Sequence, residues 1–117
     1  MKKMNLLENQ EFNDLNPHAQ TLLANNHNRI MRFMLKPGQL LKEHQAPSSA
    51  VNIVVLEGHG LFSDAEGNTQ ELGPLDLIVY EPGEKHAVQA LEQNLVFLAI
   101  LKESPMQEFS KEVGVMA

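Results

Sequence analysis

Five histidines, one tyrosine and nine Lys or Arg side chains are the groups with which this chain of 117 residues could bind or transform a ligand, and there is no cysteine. Two histidines stand at the edges of apolar, β-branched runs: His44 in "KEHQAPSSAVNIVVLEGHG" and His86 in "EPGEKHAV". An imidazole so placed can ligate a metal through a ring nitrogen, hydrogen-bond to a bound ligand, or sit in a core with its own hydrogen bond satisfied. The residues alone leave all three open. In a strand the neighbours of His44 sort by parity: Glu43 points to the opposite face, while Lys42 shares its side provided that no bulge intervenes. Lys42, His44 and His86 around Ala46, Val51, Ile53 and Val88 would then favour a small anionic ligand such as a carboxylate. Tyr80 could offer its hydroxyl to the same pocket or pack as a core ring with a polar tip.

The other reactive types are quieter. His59, between two glycines, is expected at an exposed turn, and His18 and His27 on the surface. Ser48 and Ser49 have turn surroundings and no nucleophile motif. Gly58, Gly60 and Gly67 are not followed by the Lys-Ser or Lys-Thr of a phosphate loop.

The elements that must position these groups are strands. Short runs rich in Val, Ile, Leu and Phe alternate with Gly, Pro, Asn and Asp clusters, and helical periodicity is scarce. "AQTLLA" and "RIMRFML" flank the turn-prone "NNHN" as a hairpin. "QLLKEHQA" continues in strand until "PSS" breaks it. "AVNIVVLEG" puts Val51, Ile53 and Val55 on one face, with Val54 and Leu56 making the other apolar too, so it is expected inside a sheet. "GLFSDAEGNTQEL" is a hairpin with its tip at Asp64–Asn68. "LDLIVYEPGEKHAVQAL" and "LVFLAIL" complete the strands. Gly38, Gly58, Gly73 and Gly83 fall at strand ends. Ser104 as N-cap with Pro105 behind it starts a short C-terminal helical segment. Many short strands with frequent turns mean a sandwich or a barrel.

Composition narrows the partners. A formal charge of −6 with scattered Lys and Arg excludes nucleic acid as the expected partner. Lys2 and Lys3 are followed by polar, acidic sequence rather than a signal-peptide apolar run, and no stretch approaches a membrane span. No membrane partner is expected, and a cytoplasmic location is. The length suits one domain covering 1–117.

Gly38, His44 and Gly58, followed by Glu81, Gly83 and His86, resemble the two motifs of the cupin superfamily. The first motif runs Gly, five residues, His, one residue, His, three or four residues, Glu, six residues, Gly. Its spacing is kept, with Ala46 where the second His belongs and Val51 where the Glu belongs. The second runs Gly, five residues, Pro, one residue, Gly, two residues, His, three residues, Asn. It is met by Leu75, Glu81, Gly83, His86 and Ala90, with Pro82 displaced by one place. The resemblance covers about residues 30–101. It implies an all-β fold, the cupin double-stranded β-helix or jelly-roll barrel.

Relatives hold a divalent metal such as Zn, Mn, Fe or Ni with three His and one Glu. Of these, His44 and His86 survive, so the resemblance implies at most a weakly held metal on those two. A small cupin binding a small molecule in its barrel through Lys42, His44, Tyr80 and His86, with a degenerate metal site at His44 and His86, is the expected function. The competing expectations are a divalent-metal isomerase or oxygenase using His44 and His86, and a regulatory or partner-binding domain acting through Pro105–Ala117. Pairing through an N-terminal strand into a homodimer is expected, as in many relatives.

Overall fold

The computed structural model describes residues 1–44 and 49–102. Nine strands lie among these residues: β1 (His18–Ala24), β2 (Asn28–Leu35), β3 (Leu40–His44), β4 (Val51–Glu57), β5 (Gly60–Ser63), β6 (Thr69–Leu72), β7 (Leu77–Tyr80), β8 (His86–Ala90) and β9 (Leu95–Lys102). They form a five-stranded sheet, β1-β2-β9-β4-β7, and a four-stranded sheet, β3-β8-β5-β6, both antiparallel throughout. This is the double-stranded β-helix that the strand pattern and the two motifs anticipate. The C-terminal helical segment expected from Ser104 lies outside the described residues.

The alternation of side chains along each strand builds the interior. In β2, Met31, Phe33 and Leu35 face inward. They meet Ala99, Phe97 and Leu95 of β9, and Ile53 and Val55 of β4 lie beyond. Phe33 stacks on Phe97 with ring centroids 5.0 Å apart, and Phe62 of the smaller sheet meets Phe97 edge-on at 5.6 Å. These rings join the two sheets within the core, level with Val55 of β4. As expected, β4 is internal, held between β9 and β7.

Turn chemistry sets the registers. Asn25 Oδ1 accepts from the backbone N–H groups of His27 and Asn28 to close β1 onto β2. Asp64 Oδ1 accepts from Glu66 and Asn68, and Gly67 takes a φ of +83°, which the β5–β6 tip needs. At the motif position where relatives carry glycine, Leu75 keeps the left-handed backbone with φ +71° while its side chain is 83% exposed.

The N-terminal segment packs on the outer face of the larger sheet. Buried Arg32 donates from Nη1 to the carbonyls of Leu6 (3.1 Å) and Glu8 (2.8 Å), and from Nη2 to the Asn9 carbonyl (3.1 Å) and Gln20 Oε1 (2.7 Å). Glu11 N–H points at the sulfur of buried Met34, two residues further along the same face. Lys36 pairs with Asp14 at the edge of this strap.

Candidate functional site

The polar groups gather where β2, β4 and β8 begin and β3, β7 and β9 end. Register places Arg29, Leu101, Val51 and Tyr80 in one row across β2, β9, β4 and β7. Residues directly opposite in neighbouring strands share a face, and Arg29 precedes inward-facing Met31 by two, so the whole row faces the interior. On the facing sheet His86 opens β8, again two residues before a core side chain, Val88. This end of the barrel is therefore a buried layer of one guanidinium, one phenol and one imidazole on a floor of Leu101 and Val51. Arg29, Tyr80 and His86 are 3%, 2% and 1% exposed.

Tyr80 and His86 form a pair. Their rings stack with centroids 4.4 Å apart and planes 21° from parallel. The Tyr80 hydroxyl donates to the Ser63 carbonyl at 3.0 Å, tying the end of β7 to β5. Burial, followed by the carboxylates of Glu84 and Asp64, pushes the phenol up to about 12. His86 Nδ1 lies 3.1 Å from the Glu84 carbonyl. A carbonyl only accepts, so Nδ1 carries the hydrogen, and in the neutral ring the lone pair is on Nε2. Arg29, Lys42 and His86 each make further interactions within the chain. Buried Ser49 donates to the Ala50 carbonyl and accepts from Lys102 N–H, which holds the end of β9 at the entry to β4.

His44 is brought to this layer by its backbone: its Cα partner across β3 and β8 is His86, although the two are far apart in sequence. Lys42 is placed differently. The register slips between Leu41 and His44, so the no-bulge condition that would put Lys42 on the side of His44 is not met, and Lys42 is exposed. Arg29 is the group that reading by residue type passed over. Its signal was present in the parity of Arg29 with Met31, Phe33 and Leu35, the same alternation that defines the core face of β2.

The donor set does not fit a firmly held metal. Val51, in the place of the family's Glu, is a core side chain between Leu101 and Tyr80 and offers no oxygen. Among the described residues no group of three His, Cys, Asp or Glu converges as a metal site would require.

Among the described residues, one cleft lies away from this layer and another runs beside it. One of about 610 Å³, lined by His59, Glu71, Leu91, Glu92 and Gln93, is at the opposite end, by the β4–β5 turn, where His59 is exposed as expected. Its larger volume carries no chemistry comparable to the buried layer. The other, about 240 Å³, runs past Tyr80 between Ser63, Asp64, Ile78 and Glu84.

The cupin domain family model matches residues 31–101. Among solved structures, the chain is similar to a conserved protein with a double-stranded β-helix domain from Klebsiella pneumoniae, with 17% identity over 87% of this chain and 90% of that one and a TM-score of 0.82. It is similar to an RmlC-like cupin from Desulfovibrio desulfuricans, with 28% identity over 87% and 96% and a TM-score of 0.81. It is also similar to TT1209 from Thermus thermophilus, with 20% identity over 90% and 100% and a TM-score of 0.82. No curated protein matches the chain. The motif spacing around His44 and His86, the two-sheet topology and the matched span agree: this chain belongs to the cupin domain family.

Proposed function

We propose that this small cupin binds a small molecule at the polar end of its barrel and does so without depending on a metal. The observation that carries the reading is the inward row ending in Tyr80, faced by His86, in an otherwise apolar interior. A few convergent polar groups against apolar walls are what a small-molecule site needs to orient and desolvate its ligand. His44, opposite His86 in the register, belongs to the same site, and exposed Lys42 stands further back on β3.

The test combines elemental analysis of untagged, chelator-free protein with a small-molecule screen by ¹⁵N-resolved NMR, in wild type and in the double variant His44→Ala, His86→Ala. The expected result is substoichiometric metal, with binding that persists in chelator and moves the amides of Tyr80 and His86. The second reading, a divalent-metal enzyme, is favoured by the cross-strand pairing of His44 with His86. Near one equivalent of metal, lost in the double variant, would establish that reading and overturn the first. The same preparation addresses assembly. β1 is an edge strand, and Leu77 and Val79 are exposed on the opposite edge strand, β7, both features that support a homodimer, which light scattering would reveal as twice the chain mass.

A further inference from the structure

We infer that residues 6–14 form a latch: Arg32 of β2 keeps one end, Gln39 just before β3 keeps the other, and release of this strap loosens the strand that brings His44 to the candidate site. The latch is independent of what the barrel binds.

The strap runs from the outer face of the larger sheet to the first strand of the smaller one. At one end the Arg32 guanidinium, 3% exposed, gathers the carbonyls of Leu6, Glu8 and Asn9. At the other end the Asn13 carbonyl accepts from Gln39 Nε2 at 2.7 Å, and Asp14 pairs with Lys36. Asn13 is itself fixed, because its Oδ1 accepts from the N–H groups of Leu15 (2.8 Å) and Asn16 (3.0 Å). Gln39 is fixed as well. Its Oε1 accepts from Lys36 N–H at 2.9 Å, and its backbone carbonyl accepts from Ala90 N–H at 2.9 Å. The strap therefore grips the residue directly before β3.

β3 is the strand that such a device can move. It ends the smaller sheet, so β8 alone pairs with it among the described residues, and their register slips between Leu41 and His44. An edge strand with an irregular ladder has fewer bonds to hold it than a central strand has. Fastening its start to the outer face of the other sheet supplies support that a second neighbour would otherwise give. Five residues separate Gln39 from His44, about 17 Å of extended chain, so the fastening acts on one short segment.

The strap is also built to come away before the barrel opens. No side chain among residues 1–17 is buried, and Leu7 and Leu15 are 46% and 86% exposed, so apolar burial contributes little to its docking. Segments with few buried apolar contacts open at a fraction of the global free energy. The hold is polar and concentrated on one side chain. Arg32 Nε–H, moreover, is buried without an acceptor among the described residues, a penalty that hydration removes on release.

Amide hydrogen exchange on ¹⁵N-labelled full-length protein tests the latch. In wild type the strap amides are expected to exchange at least about a hundredfold faster than those of β9, and a strap as protected as β9 would refute its separate release. Arg32→Gln is expected to speed exchange in the strap further and to raise that of β3 relative to β8 about fivefold or more, with β9 unchanged. Gln39→Ala cuts the second fastening only and is expected to raise β3 by a similar factor. The two together should do no more at β3 than the larger of the two alone, because both release one latch. Uniform acceleration through β2, β9 and β4 in Arg32→Gln would make Arg32 a general stabiliser and overturn the proposal. Faster strap exchange with β3 unchanged, or additive effects in the double variant, would overturn it equally. If Arg32→Gln fails to fold, Arg32→Lys, which keeps the charge and loses the planar fork, decides by the same comparison.

Discussion

Tyr80 is the only tyrosine, and the chain has no tryptophan, so the near-ultraviolet absorbance of phenolate reports this one side chain. Its hydroxyl donates to the Ser63 carbonyl, an atom that cannot donate in return. Ionisation would leave an anionic oxygen against a carbonyl oxygen, in a site 2% exposed and flanked by Glu84 and Asp64. Those causes push the phenol from 10.0 to about 12 in the folded protein. The sign of the linkage follows. Below pH 10 both states are protonated and Tyr80 adds no pH dependence. As pH rises from 10 towards 12 the unfolded chain loses its proton first, so stability falls. At roughly 1.4 kcal/mol per unit, and with the folded phenol itself half ionised at the upper end, the loss there is about 2 kcal/mol.

Two measurements check this. Titration of the folded protein should place the phenolate midpoint near 12, and titration in urea near 10. Urea unfolding at successive pH values should show the decline in wild type and its loss in Tyr80→Phe, a comparison that isolates the contribution of Tyr80. At neutral pH that variant should itself be less stable by about 1 kcal/mol, for the lost hydrogen bond. A native midpoint near 10, or parallel pH slopes in wild type and Tyr80→Phe, would show that the phenol is not held as a buried donor.

Two substitutions probe the backbone that frames the site. Leu75→Gly should stabilise the fold by up to about 1 kcal/mol, because relief of the left-handed conformation exceeds glycine's extra unfolded-state entropy and an 83% exposed side chain gives up little burial. Leu75→Val should destabilise, and a gain with Val or a clear loss with Gly in urea midpoints would contradict the strain. Gly58→Ala should cost at least about 2 kcal/mol, since a Cβ there would sit 2.0 Å from the Asn94 carbonyl oxygen at a φ of +79°. An unfolding midpoint unchanged in that variant would mean that the β4–β5 and β8–β9 turns do not approach as described.

The strands were legible because two local signals agreed almost everywhere: side chains alternating with period two, and Gly, Asn or Asp at the reversals. The Asp64–Asn68 tip and the internal place of β4 follow from them directly. Both signals fail where one strand carries a residue more than its partner. Between Leu41 and His44 the register slips, and nothing in "LLKEH" marks the slip, so the no-bulge condition on Lys42 cannot be judged from alternation. Leu75 shows the complementary limit. A leucine gives no hint of positive φ, and only the motif spacing pointed to a glycine position that the backbone still honours.

The buried arginines of β2 were the hardest residues to read, for a physical reason. Charge argues for the surface, and parity argues for the face; at Arg29 and Arg32 the two arguments collide, and only tertiary packing resolves them. Both side chains are buried, on opposite faces of one strand. The outer one is buried by a polypeptide strap that no periodicity announces, and its four oxygen partners account for the burial. The inner one is buried by the barrel itself, in register with Tyr80 and on the layer that His86 faces from the other sheet.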